Sequence, residues 1–404
     1  MRNRKFWSLV TVAALAVGAA GCAEEDGGGG DDGGGGTAAG GGGEEESGPI
    51  KIGVVLDITG AGASLGVAER ETIEMLAEQV NEDGGIDGRE VEVIIEDNQS
   101  TEDGAAKATS SLLSTEEVDI LIGASRTGPS LAMRPLAEDA EIPMISLAAN
   151  QAIIDGSEWV FKTAQNDRVV LERMVDDMSA KGYTKVAIAR DASGFGEGIP
   201  EMLAEIGEGA GIEIVAQESF APDATDFTAQ MVNLRNADAD AVVIWGIPPA
   251  AALAQNAYVQ LDVGAPVYQS HGIGNQVFLD EAGANADGLL APLGRMLIAD
   301  QLADDDPQKE VVQTFIADYT EKYDKAPSTF AGHAYDGFMI AVDALDEVGT
   351  DPQALRDHLE NGITDWPGIS GVFTMSPEDH SGLTKEALMM VEVQDGQWTL
   401  AEDQ

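Results

Sequence analysis

The spacing of apolar positions switches repeatedly along this chain. From Ile50, IKIGVVLDIT is a short, nearly continuous apolar run, the pattern of a strand buried on both faces. VAERETIEMLAEQVNED follows with its apolar residues at helical spacing. The pair then recurs: EVEVIIEDNQ precedes a helix near 103–115, VDILIGAS precedes one near 128–140, and IPMISLAAN closes the series. Four strand-helix units of this kind predict a parallel sheet covered on both faces.

WVFKTAQND reads as a crossing into a second series. There the pattern predicts helix 167–181, strand KVAIARD, helix 197–209, strand IEIVAQESF, helix 225–236, strand DAVVIWG, helix 249–261 and strand APVYQSH. DGLLAPLG leads into two long helices near 307–323 and 331–347, and the tail segments GVFTMSP and ALMMVEVQDGQWTL are strand-like. The predicted fold class is α/β, with two doubly wound parallel-sheet lobes joined by several chain crossings. Ligands of such sheets lie outside the carboxyl ends of the strands. Function is therefore expected in the loops DITGAGASLG, GASRTGPS, SLAANQA, RDASGFGEG, WGIPPA and QSHGIGN, whose Gly, Ser, Thr and Asn content suits backbone amides aimed at a polar ligand.

The first 48 residues follow neither period. Arg2, Arg4 and Lys5 precede an apolar run from Phe6 to Ala20, short for a membrane span and laid out as a secretory leader. Ala19-Ala20-Gly21-Cys22 resembles the bacterial lipoprotein cleavage box, in which the cysteine is lipidated and becomes the first mature residue; Ala19 departs from the usual Leu. Cys22 is the sole cysteine, so no disulfide forms within the chain. The following Gly-rich and acidic stretch cannot bury enough apolar surface to offset chain entropy, and reads as a tether with a reach of roughly 25–30 Å. The expected organisation is a leader over 1–21, lipidated Cys22 and tether over 22–48, one lobe from 49–166 plus 293–371, and a second from 167–292 plus 372–404.

Charge narrows the partners. The 404 residues carry a formal charge of −50, and without leader and tether 19 basic residues still face 64 acidic ones. Nucleic acid is excluded as a partner, because phosphate binding needs clustered Lys and Arg, and anionic lipid surfaces are disfavoured for the same reason. The acidity is spread throughout, as on a heavily solvated surface in salty surroundings; the loop spacing of a calcium site is missing.

Enzyme motifs fail on context. GASLG at 62–66 matches a nucleophile elbow centred on Ser64, but TGAGA separates it from the strand, where an elbow needs a sharp strand-to-helix turn. Gly60, Gly62 and Gly66 imitate a dinucleotide loop, yet the leader places the chain away from such cofactors. His271, His333, His358 and His380 fall in different predicted elements, with no metal-ligand spacing. No cofactor, metal or catalysis is expected, with a serine hydrolase acting through Ser64 as the remote alternative.

Over residues 49–404 the chain resembles the type I periplasmic solute-binding proteins of ABC importers, in the branched-chain amino-acid (leucine/isoleucine/valine) group. The resemblance rests on the order of IKIGVVLDITGAGASLG, NEDGGIDGREVEVIIEDNQST, LIGASRTGPSLAMRPLAEDAEIPMISLAAN, FGEG, DAVVIWG and STFAGHAYDGFMIAVDAL. It implies a monomer that captures a small solute between two closing lobes and presents the closed form to a membrane permease, held to the membrane by its lipid anchor only. The matching ligand-holding positions are Thr127, Ala148 and Asn150, the last replacing the usual Thr or Ser, with Phe195 as the aromatic cover and Tyr335 a weaker candidate.

One position departs further. Where the amino-acid binders carry a glutamate that pairs with the ligand's ammonium, this chain has His271, and a histidine cannot supply that countercharge. Ile247 and Pro248 replace tyrosines of those binders and make the pocket less polar. The resemblance therefore implies a branched-chain amino acid or a related small carboxylate as solute. A helix-capping role for His271 and a packing role for His333 are the plain alternatives, and a sensor that binds aromatic or other carboxylates and signals to a membrane receptor would use the same two lobes.

Overall fold

The computed structural model describes residues 48–401. Cys22, the leader and most of the tether lie outside the described residues. In chain order the first elements are β1 (Ile50–Leu56), α1 (Ala63–Glu82), β2 (Val91–Asp97), α2 (Glu102–Ser111), β3 (Ile120–Gly123), α3 (Thr127–Ala140), β4 (Met144–Ser146) and β5 (Val160–Lys162). They build a five-stranded sheet ordered β2-β1-β3-β4-β5, parallel throughout. Its inner strands are the continuous apolar runs: all four residues of β3 are buried, whereas the edge strand β2 is mostly half-exposed.

The segment WVFKTAQND supplies strand β5 before the chain leaves for the second sheet. There follow α4 (Asp167–Ala180), β6 (Lys185–Asp191), α5 (Ile199–Ala210), β7 (Glu213–Phe220), α6 (Thr228–Arg235), β8 (Ala241–Trp245), α7 (Ala250–Gln260), β9 (Val267–Gln269), α8 (Gln276–Ala282) and β10 (Leu290–Gly294). Next come α9 (Lys309–Tyr323), α10 (Thr329–Val348), α11 (Pro352–Asn361), β11 (Trp366–Pro367), β12 (Val372–Phe373), β13 (Leu388–Gln394) and β14 (Gln397–Leu400). The second sheet is ordered β14-β13-β10-β9-β8-β6-β7. It is not wholly parallel, because β13 runs antiparallel to both β10 and β14. Asp395 and Gly396, both at positive φ, turn that last hairpin.

Helices α9 to α11 return to the first sheet. Phe315, Phe338, Ala341, Leu345 and Leu355 join Ile52, Val54 and Ile122 in one core, together with Phe373, Met375 and Leu383. The second sheet has its own core around Val242, Ile244, Phe278 and Val391. Within the described residues the chain thus passes between the sheets three times, after β5, after β10 and before β13. Side-chain caps set the helix starts that matter here: Thr101 accepts from Gly104 N at α2, Asn166 from Arg168 N at α4, and Ser328 from Ala331 N at α10.

The glycines that imitate a dinucleotide loop serve close packing. A Cβ on Gly66 would lie 2.4 Å from the Asp57 carbonyl oxygen, and one on Gly62 would meet the Asp57 side chain. Asp57 is fully buried, accepts a hydrogen bond from Asn98 Nδ2 at 2.6 Å, and is paired with Arg126. The start of α1 is therefore pressed onto the end of β1.

Candidate functional site

The carboxyl ends of the strands of both sheets border one cavity of about 620 Å³. Its lining follows the strand order. From the first sheet come Ser100 and Thr101 after β2, Leu65 after β1, Ser125 to Pro129 after β3, Leu147 to Ala149 after β4, and Ala164 after β5. From the second come Ala192 to Phe195 and Glu197 after β6, Ile247 after β8, and His271 and Gly272 after β9. Phe330 and His333 of α10 complete the wall.

Thr127 opens α3 and is 3% exposed, and its hydroxyl has no protein partner among the described residues. The neighbouring Ser125 has spent its proton on Glu69, so Thr127 and the first amides of α3 are the donors this loop has left. Ala148, 4% exposed, also borders the cavity. Asn150 does not. Its Oδ1 accepts from Ala152 N at 2.9 Å and its Nδ2 donates to the Gly194 carbonyl at 2.8 Å, which places it across the cleft between the loops after β4 and β6. Gly194 itself abuts Thr127: a Cβ there would lie 3.1 Å from Thr127 Cγ2.

Phe195 is held from behind. Trp245 Nε1 donates to its carbonyl at 3.1 Å, and the two rings pack with centroids 5.4 Å apart. The His271 ring stands edge-on to both, 5.5 Å from Phe195 and 5.7 Å from Trp245. His271 is not the cap of its short helical turn. Ser270 is, accepting from Gly272 N and donating to the Gly246 carbonyl. Burial, reinforced by His333 and Lys162, pushes His271 down to about 3, so the ring is neutral near pH 7. Its Nδ1 is sealed and has no partner.

His333, which a sequence reading takes for helix packing, also lines the cavity. Its Nδ1 lies 2.7 Å from Ser370 Oγ, and burial pushes it too down to about 3. Arg126 is a second lining residue that the sequence reading passed over, although it adjoins Thr127. It is the one Lys or Arg among the lining residues, and its charge is paired with Asp57. Tyr335 does not border the cavity; its ring packs on Phe315.

Beneath the floor lies Lys162, fully buried, with Nζ donating to the carbonyls of Ala149 at 2.6 Å and Ala164 at 2.9 Å. Both are lining residues, so this one ammonium fixes the ends of two strands. Burial lowers Lys162 and raises its buried partner Asp167, whose two oxygens have no hydrogen-bond partner. The acidic lining residues, Glu102, Asp103 and Glu197, are exposed at the mouth, so the buried wall offers no carboxylate to a bound cation.

Ser64, the candidate nucleophile, has a buried hydroxyl with no hydrogen-bond partner, so no base is in place to activate it. Among the described residues no group of three or more His, Cys, Asp or Glu could hold a metal ion, and no helix is long and apolar enough to cross a membrane.

The family described as periplasmic binding protein matches this chain over residues 49–397. Among similar proteins is the leucine-, isoleucine-, valine-, threonine- and alanine-binding protein of Pseudomonas aeruginosa, 24% identical over 328 residues, or 79% of this chain and 84% of the relative. An extracellular ligand-binding receptor from Rhodopseudomonas palustris HaA2 superposes with a TM-score of 0.82 at 27% identity, covering 87% of this chain and 99% of the receptor. The branched-chain amino acid transporter substrate binding protein of Streptococcus pneumoniae, solved in complex with isoleucine, superposes with a TM-score of 0.77 at 26% identity, covering 87% of this chain and 97% of its own. The chain therefore belongs to the periplasmic binding protein family, with the type I fold and in the branched-chain amino-acid group, whose members are extracytoplasmic solute-binding proteins rather than enzymes.

Proposed function

We propose that this protein is the lipid-anchored solute-binding component of an ABC importer, and that it captures a small carboxylate, without need of an ammonium group, between two closing lobes. The observation that carries the reading is the chemistry of the buried wall. Thr127, the first amides of α3 and the neutral His333 face the cavity from the side of the first sheet, the neutral His271 faces it from the second, and Lys162 lies behind the floor, with no buried acidic residue lining it. A carboxylate finds donors and a favourable field there; an ammonium would be desolvated without a countercharge.

In this reading Thr127 and the backbone at Ala148 hold the carboxylate. Phe195 covers the apolar body of the solute, and His271 comes from the opposite lobe to complete the enclosure. Closure excludes water and strengthens each of these bonds, which is how a cavity bordered by few charges can hold a small anion.

Calorimetry with 4-methylpentanoate, the carboxylate skeleton of leucine without its amine, tests the assignment. Thr127→Ala removes a hydrogen bond to a charged group, so affinity falls about tenfold or more while the ligand-free protein melts as before. Unchanged affinity would remove Thr127 from the site.

A further inference from the structure

A second contact joins the two lobes, nearer the hinge than the Asn150–Gly194 bond. The Gly274 carbonyl, after β9, accepts two hydrogen bonds from the first residue of α10, one from Thr329 N at 3.0 Å and one from Thr329 Oγ1 at 2.9 Å. Gly274 follows the short turn His271–Ile273 of the second lobe, whereas α10 packs in the core of the first. The fit is close. A Cβ on Gly274 would lie 2.6 Å from Thr329 Cγ2 and 3.3 Å from Leu297 Cδ1. One carbonyl held by both donors of a single buried residue leaves little play between the lobes at this point.

The surroundings tie the contact to the chain crossings. Leu297 lies in the segment that returns from β10, and that segment feeds both cores: Met296 and Ala299 pack in the first, Ile298 and Leu302 in the second. Met296 also meets α10, where a Cβ on Gly332 would lie 3.8 Å from its Cε. The crossing after β5 joins through Gln165, whose Nε2 donates to the Ser370 carbonyl at 2.7 Å, and Ser370 Oγ lies against His333 Nδ1.

Strand order sets how far each contact travels. β9 adjoins β10, from which the chain crosses back, while β6 stands three strands away. At about 5 Å per strand, Gly274 lies roughly 5 Å from the crossing strand and Gly194 roughly 15 Å, so a hinge rotation moves Gly274 about a third as far.

Resting on the two-lobe reading above, we propose that Thr329 is a positioning residue that pins the His271 turn to α10 in the open and the closed protein alike. Phe330 and His333 of α10, with His271 and Gly272, then form a hinge-side wall of the cavity that is assembled before the solute arrives. Closure adds the rest by bringing the Phe195 loop onto Thr127. The solute meets the preformed wall first, and its carboxylate is enclosed second.

Stopped-flow association of 4-methylpentanoate with the full chain tests this. Thr329→Val removes the hydroxyl bond at unchanged shape and slows association about two- to tenfold, because only part of the population then carries the assembled wall; Thr329→Ser restores the rate. Thr329→Cys with Gly274→Cys, in a Cys22→Ser background, replaces the hydrogen-bonded pin by a covalent one, since the new side chains stand within disulfide reach. Reduced, this protein associates slowly; oxidised, it recovers to within about twofold of wild type. A contact that parts on opening gives the opposite sign, because the bridge then locks the lobes shut and association slows further. Slower association after oxidation, no bridge formed, or an unchanged rate in Thr329→Val overturns the pin, and the Val and Ser variants decide alone if the cysteine pair does not fold. Leucine serves as the probe if the protein binds it and not 4-methylpentanoate, so failure of carboxylate capture leaves this test standing; binding of neither overturns both.

Discussion

Asn150 Nδ2 donates to the Gly194 carbonyl at 2.8 Å and joins the loop after β4 of one sheet to the loop after β6 of the other. Immediately beside it, a Cβ on Gly194 would press on Thr127 Cγ2 at 3.1 Å. The two loops thus form a latch at the edge of the cavity, and Asn150 acts on closure from outside the lining. Asn150→Ala removes the bond to Gly194 together with the local bond from Ala152 N, and only the first crosses the cleft, so solute affinity falls about two- to tenfold, with the change in the dissociation rate. Stopped-flow release of 4-methylpentanoate checks it; an altered association rate at unchanged dissociation would place Asn150 elsewhere in the binding sequence.

Lys162 organises the floor. Replacing it by Met strips the Ala149 and Ala164 carbonyls of their donor and leaves the Asp167 carboxylate buried without its partner. A buried carbonyl left without its donor costs about 1–3 kcal/mol, so Lys162→Met, which strands two, lowers the unfolding free energy by about 2–5 kcal/mol. Lys162→Met combined with Asp167→Asn recovers part of it, because the uncompensated charge is gone. Urea unfolding of the three proteins is the measurement, and a double variant no more stable than the single one would contradict the pairing.

Much of the architecture follows from period alone. The windows 128–140 and 167–181 meet α3 and α4 within a residue at each end, since a long amphipathic stretch has one way to bury its face. Helix α11 has a legible start in Asp351-Pro352, a capping residue followed by a proline at the first helical position, but its short apolar stripe drew no prediction. The sequence marks β13 as a strand and is silent on its direction, because that is set by its partner β10, almost a hundred residues earlier. The site divides the same way. The loops that carry Thr127, Phe195 and His271 could be named from their place after a strand, and the residues themselves only through the family resemblance. The part of His333 could not, since it depends on Ser370, which only the fold delivers to Nδ1.

Two buried neutral histidines carry a pH signature. The folded-state pKa of His271 is depressed to about 3 from an ordinary 6.5, so its contribution to stability is complete above about pH 6.5 and is lost as pH falls toward 3. The groups acting on it are His333 and Lys162. The stability advantage of wild type over His271→Gln therefore shrinks by about 2 kcal/mol between pH 7.5 and pH 5, on the linkage of about 1.4 kcal/mol per pH unit. Ligand-free urea melts at the two pH values check this, with the difference between the proteins removing the contribution of every other titrating group. A constant difference would mean that His271 titrates in the folded protein as it does in the unfolded chain.

The central claim is that the buried wall selects a carboxylate without requiring an amine. Titration calorimetry of the purified protein at high salt, with leucine and 4-methylpentanoate as a matched pair, tests it most directly. The account predicts tighter binding of 4-methylpentanoate, because its carboxylate meets the same donors and no ammonium has to be desolvated beside His271. Binding of leucine with no detectable binding of 4-methylpentanoate would contradict it, and would mean that an ammonium finds its countercharge in this cavity without a glutamate at position 271.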